Sequence, residues 1–263
     1  MIDPLTATVE RTGPIAPRSA LAKLAAALLV SVPLVFSIDV VSASVALILE
    51  IPLLLLAGLG VREFWTRTAP LWIAAPLGAV TIALYGVTSG EVHFEWLLMR
   101  VSDGSLSLAA ATAVRVLAIG LPAVVLFITV DPTDLADDLA QRMRLPARFV
   151  IGALAGMRML GLLVEDWRAL GLARRARGVA DQGRIRRALG MAFALFVLAI
   201  RRGSSLATAM EARGFGGTGP RSWARASVWT WQDTVLVLAA AVIPVVAIWV
   251  AVAIGAWNFI GAV

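Results

Sequence analysis

The sequence predicts an all-α integral membrane protein, with about five transmembrane helices and a cytoplasmic segment of three more, two of them long. Three observations predict it. Hydrophobic residues make up 60% of the 263 and charged residues 15%, against about 45–50% and about 25% in a soluble globular chain. Five apolar runs, at 21–37, 40–60, 70–87, 106–130 and 234–254, approach the roughly 20 residues that cross about 30 Å of hydrocarbon. The charge is concentrated: residues 131–232 hold 16 Arg against 8 Asp or Glu, a net +8 where the whole chain carries +6.

Residues 1–20 read as a cytoplasmic tail and 21–130 as a four-helix transmembrane region. Residues 131–232 read as the cytoplasmic helical region, and 233–263 as a last transmembrane helix with a short outer tail. Little more than Ile38 and Asp39 separates the first two spans, so they form a hairpin. Basic residues set the orientation. Arg11, Arg18 and Lys23 precede the first span, and Arg62 and Arg67 follow the second. The 37–40 turn has no basic residue, and the 88–105 loop sets Arg100 alone against Glu91, Glu95 and Asp103. The N-terminus is therefore expected inside and the C-terminus outside. Trp65, Trp72, Trp229, Trp231, Trp249 and Trp257 lie near span ends, as interfacial aromatics do.

Within the basic segment, Asp131-Pro132-Thr133-Asp134 is a helix start, with polar capping groups and a proline suited to the first turn. That short helix ends at Leu145-Pro146, since the residue before a proline avoids the helical region. A second helix runs from about Arg148 to Arg177 and a third from about Arg186 to Arg213, each stopped by glycine. Their apolar stretches, 149–164 and 188–200, are short for spans and are expected at an interface or inside protein.

Several chemistries are excluded. Cys is absent and His93 is the single histidine, so thiolate chemistry and a multi-histidine metal site cannot be built. The one lysine, Lys23, is followed by Leu24, so there is no Gly-Lys-Ser/Thr phosphate loop. Gly214-Phe215-Gly216-Gly217-Thr218-Gly219 satisfies G-x-G-x-x-G, but a helix precedes it where a strand is required. The arginine-rich 171–190 stretch has no aromatic residue on which bases would stack, so no nucleic acid is expected and anionic lipid or an acidic protein is. No cofactor is implied, and nothing marks the chain as an enzyme.

One motif recurs. Ala176-Arg177-Gly178 closes the second helix and Ala212-Arg213-Gly214 the third. Glycine permits the left-handed conformation that ends a helix. Arginine there opposes the negative end of the helix dipole and offers a planar fork to a carboxylate. Gly152 and Gly156 on one helix, and Ala199, Gly203 and Ala207 on the other, repeat small residues every fourth position, a spacing that lets helices cross closely. Two crossing helices with an arginine plug each are suited to a partner with two similar sockets.

These features resemble the transmembrane scaffold, or T component, of energy-coupling-factor (ECF) transporters, which are ATP-driven importers of vitamins and transition-metal ions such as cobalt and nickel. The resemblance covers about 17–234 and rests on Leu21-Ala22-Lys23-Leu24, Asp131-Pro132, Leu145-Pro146 and the paired Ala-Arg-Gly endings. It implies two crossing coupling helices whose motifs, Ala176, Arg177 and Gly178 with Ala212, Arg213 and Gly214, each dock on one of two ABC ATPase subunits. It also implies a substrate-binding membrane protein, the S component, packed on the scaffold, and a place in the cell membrane. The rival reading is a stand-alone secondary transporter or channel, which would carry several polar groups in its spans. Only Glu50 and Arg115 stand out there. Each lies about nine or ten residues from the outer end of its span, roughly 14 Å deep at 1.5 Å per residue. Matching depth and the cost of an unpaired intramembrane charge predict a buried Glu50–Arg115 ion pair.

Overall fold

A computed structural model describes residues 13–86, 89–96, 99–178, 183–217 and 222–257. The chain divides into two compact units, one holding Glu10–Leu135 and Val228–Val263 and the other Ala136–Ser227.

The first unit is built from α1 (Ala20–Val35), α2 (Val40–Leu56), α3 (Val61–Tyr85), a hairpin of β1 (Val92–Trp96) and β2 (Met99–Ser102), α4 (Asp103–Ile128) and α8 (Trp231–Ile254). Helix α1 packs against α4 and α8, α2 against the same two, and α3 against α4. The core is a seam of alanines interleaved with larger aliphatic residues. Ala22, Ala26 and Val30 recur every fourth residue on α1, and Leu236, Ala240, Ile243 and Ala247 follow a helical face on α8. Ala46 of α2 and Ala118 of α4, both fully buried, join it together with Leu34, Leu53 and Leu126. The alanines let helix backbones approach where lipid supplies no hydrophobic drive. Leu28, Ile48, Leu55, Ile73, Leu77 and Trp249 face outward.

Buried polar groups tie the helix ends. Lys23, 2% exposed, donates from Nζ to the carbonyls of Ala16 (2.8 Å) and Thr129 (2.9 Å). Thr129 is the C-cap of α4, so the cation sits at the negative end of that helix. Asp233 accepts from the Ser19 amide at 2.9 Å and the Thr230 amide at 2.7 Å, joining the starts of α1 and α8. Asp39 caps α2 by accepting from the Ser42 amide.

Three features depart from the sequence expectation. Among the described residues five helices are long and apolar enough to cross a membrane, but they are α3, α4, α6 (Ala147–Ala176), α7 (Ile185–Ala212 of Arg184–Ala212) and α8. Helices α1 and α2, with 16 and 17 residues, fall short. Helix α3 starts nine residues before Pro70, because a proline within a membrane helix is absorbed by neighbouring groups. Its polar first turns carry an Arg67–Glu63 pair at 4.0 Å. The 88–105 loop folds as the β-hairpin, with Glu95 opposite Arg100 and their side chains 2.6 Å apart.

In the second unit, α5 (Pro132–Gln141) lays Ala136, Leu139 and Ala140 on Val150 and Leu154 of α6. Its polar face grips the segment leading to α8. Gln141 donates to the Arg225 carbonyl (2.8 Å) and accepts from the Ser227 amide (3.0 Å). Arg142 donates to Ser227 Oγ (2.6 Å) and carbonyl (2.7 Å), and Asp138 accepts from the same hydroxyl.

Candidate functional site

The two Ala-Arg-Gly tripeptides end α6 and α7 in the same way. Arg177 and Arg213 are the C-cap residues, and Gly178 and Gly214 follow with φ of +70° and +80°. Only glycine adopts that conformation without penalty. The Gly178 amide donates to the Arg175 carbonyl (3.0 Å) and the Gly214 amide to the Glu211 carbonyl (2.9 Å). On α7 the Phe215 amide also reaches the Met210 carbonyl at 2.9 Å, completing the two bonds of a Schellman end. All six motif residues are exposed. A Cβ added at either glycine would meet nothing within 4 Å. Each helix therefore ends in an open cationic tip that none of the described residues covers.

Helices α6 and α7 meet along the C-terminal part of α6, which bears the Arg177 tip. Gly171 faces Met191, whose Cε would lie 3.7 Å from an added Cβ. The Arg174 guanidinium lies against Gly190, where an added Cβ would sit 3.2 Å from both Nη atoms. Arg202 holds both carboxylate oxygens of Asp166, one at 3.1 Å. The Gly152 and Gly156 pair is elsewhere: side chains added there, or at Gly203, would enter open space. Ala199 is half-buried and Ala207 exposed. Sequence spacing found the small-residue stripe, but the glycines used between these helices are Gly171 and Gly190.

Glu50 and Arg115 are not brought together. Glu50 is fully buried on the α2 face that carries Ala46 and Leu53, and neither carboxylate oxygen has a hydrogen-bond partner among the described residues. Arg115 turns instead toward the end of α1, donating to the Val35 carbonyl at 3.5 Å with Asp39 attracting it. Counting residues along a helix placed the two backbones at one depth. A helical side chain, however, leans toward its own N-terminus, and arginine is long enough to carry its charge well away from its Cα.

Sequence reasoning used Lys23 only for orientation and as part of a motif, and named no partner for Lys23 or Asp138. Their signals were a lone lysine in an arginine-rich chain and an acid four residues before Arg142. Among the described residues no three His, Cys, Asp or Glu side chains gather as a metal site would require.

Residues 15–223 match the family described as CbiQ, cobalt transport protein. The chain is 28% identical over 199 residues to the energy-coupling factor transporter transmembrane protein EcfT of Limosilactobacillus fermentum, covering 70% of this chain and 73% of that one. It is 30% identical over 169 residues to the EcfT protein of Exiguobacterium sibiricum, covering 60% and 64%. It is 25% identical over 235 residues to that of Streptococcus equi, covering 84% and 86%. With its long apolar helices, the chain is a multi-pass membrane protein, and it belongs to the CbiQ family as the transmembrane (T) component of an energy-coupling-factor transporter.

Proposed function

We propose that this T component is the scaffold of an importer, transmitting ATP-driven motion from two ABC ATPases to a substrate-binding S component. Arg177 and Arg213 are the docking plugs, one for each ATPase. The observation that supports this most directly is the pair of identical, exposed, glycine-terminated arginine tips. A planar guanidinium at each tip suits a carboxylate-lined socket. The cargo is a vitamin or a transition-metal ion, selected by the S component. The basic segment lies on the cytoplasmic side of the cell membrane, where ATP is available and where its arginines favour it.

Arg177→Ala or Arg213→Ala is expected to weaken ATPase capture by roughly tenfold to a hundredfold, the value of one charge-assisted bond of about 1.5–3 kcal/mol. The double change should nearly abolish it. Arg→Lys should rescue only in part, because the fork is lost. Co-purification of both ATPases with tagged T component, alongside an uptake assay, reads this out. Wild-type capture and uptake by the double variant would reduce these arginines to helix caps.

A further inference from the structure

Glu50 plays no part in the docking reading. Its side chain is fully buried, and no described group donates to either carboxylate oxygen. Helices α4 and α8 pack on α2, and their ionisable residues are engaged elsewhere. Asp103 pairs with His93, Arg115 donates to the Val35 carbonyl, and Asp233 accepts from the Ser19 and Thr230 amides. No side chain on either helix neutralises a carboxylate at position 50.

Two prolines free acceptors at the same level. Pro122 within α4 and Pro244 within α8 are both fully buried. Proline has no N–H, so the carbonyls of Ala118 and Ala240, four residues earlier, lose their helical donors. Ala118 and Ala240 are fully buried as well, so each freed carbonyl opens on the bundle interior rather than on lipid. Contacts at the two ends of α2 set the register. Val41 shares a cavity with Leu108 and Ala111 of α4 and with Ala256 just past α8, while Leu53 shares another with Leu236 and Ala239. Helix α2 therefore runs parallel to α4 and antiparallel to α8. Glu50 lies nine residues on from Val41, level with 117–120 of α4, and one turn before Leu53, level with Ala240 of α8. Ala46, Ala118 and Ala240 belong to one core cluster. With alanines there, a carboxylate on α2 can reach main chain on both neighbours.

We propose that the Glu50 carboxylate and the carbonyls of Ala118 and Ala240 form a site for a bare monovalent cation, Na⁺ in preference to K⁺, that ties α2 to α4 and α8. The ligands are oxygens with no donor among them, so a positive charge is required to hold them together. Carbonyls released from a helix are suited to replacing the hydration shell of such an ion. A proton would join the carboxyl to a single carbonyl and leave the other unbonded. A cation gathers all four oxygens and cancels the charge of the carboxylate. Close packing of the alanine seam favours the smaller ion. The site belongs to the membrane bundle and does not require that the arginine tips dock an ATPase.

Thermal unfolding of the full chain in detergent, at constant ionic strength in sodium, potassium or choline chloride, tests it. Na⁺ should raise the wild-type midpoint by about 5 °C over choline, because it binds the folded state alone, and K⁺ should raise it less. Glu50→Gln and Glu50→Met should abolish the Na⁺ response, with Glu50→Met more stable than wild type in choline, where the carboxyl stays unbonded. Pro122→Ala and Pro244→Ala each return a donor to a freed carbonyl, and each should raise the Na⁺ concentration at half effect about tenfold. A wild-type midpoint that is the same in Na⁺ and choline overturns the proposal. So does an equal Na⁺ response from Glu50→Gln, which would mark a general salt effect. A midpoint that follows pH but not Na⁺ would show that the carboxyl takes only a proton, and equally refutes the cation site. Should the variants not fold, the wild-type chain still decides. Equilibrium dialysis against radioactive sodium should show an ion bound to each chain, and no bound label overturns the proposal.

Discussion

Glu50 is the residue whose environment conflicts most with its chemistry. Its carboxyl is buried in an apolar seam with no hydrogen-bond partner among the described residues. A buried polar group left unbonded costs about 1–3 kcal/mol in proteins. Glu50→Met keeps the volume and removes the cost, so it is expected to raise the thermal midpoint in detergent by an equivalent of about 1–3 kcal/mol. An ion pair with Arg115 would give the opposite sign, since breaking it strands a charge. Effects of Glu50→Met and Arg115→Met should accordingly add in a double-mutant cycle. A coupling above about 1 kcal/mol would restore the pair. The sequence disclosed that both residues were unusual for a span, but not where the arginine's long side chain would reach.

At the scale of elements, α5 is held from two sides. Its apolar face sits on Val150 and Leu154, and its polar face grips Ser227 through Asp138, Gln141 and Arg142. Asp138 is 5% exposed, and its carboxylate is 3.4 Å from Arg142 Nε. Asp138→Ala removes the acceptor of one contact and the counter-charge of another, and is expected to destabilise the fold by about 2–3 kcal/mol. Asp137→Ala, on the same helix, is the control and should cost far less. Thermal unfolding in detergent measures both. Helix limits were legible in the sequence: the stops at Leu145-Pro146, Gly178 and Gly214 all fall within a few residues of the observed ends. The β1–β2 hairpin was not. Its strands are four and five residues long and are held by pairing across the hairpin, which no local pattern announces. The arginine tips were legible because a cap is a local event. The Gly171–Met191 and Arg174–Gly190 contacts were not, because sequence shows which faces are small but not which face meets a neighbour.

For the whole molecule, the consequence to check is sidedness. The chain contains no cysteine, so a single introduced thiol reports without background. Gly183→Cys, at the start of α7, is expected to react with a membrane-impermeant maleimide only after the cytoplasmic face is opened. Trp257→Cys, beyond α8, should react on intact cells. The reverse pattern would invert the molecule and place the arginine tips away from ATP. Composition and charge clustering were enough to assign the chain to the membrane. They did not show helix lengths: by length and apolarity alone α6 and α7 qualify as long enough to cross a membrane, and α1 and α2 do not. Helices α1 and α2 end early at the polar Ser37–Asp39–Ser42 cluster and at Gly58, whereas α6 and α7 continue as helix through the arginines that bound or interrupt their apolar stretches.

The Schellman end of α7 turns the helix into a protractor. Because Gly214 fixes Arg213 to the last turn, the compass bearing of that guanidinium is locked to the phase of every residue behind it. The nearest anchor is Arg202, clasped by Asp166, eleven positions or about three turns earlier. One alanine inserted between Arg202 and Arg213 swings the tip by about 100° and advances it by about 1.5 Å while leaving arginine, glycine and helix intact. Such a chain should lose its ATPase as completely as Arg213→Ala does. Deleting one residue elsewhere in the same stretch should return the bearing, and with it the partner. Capture that ignores the insertion would mean that only the charge at the tip matters and its direction does not.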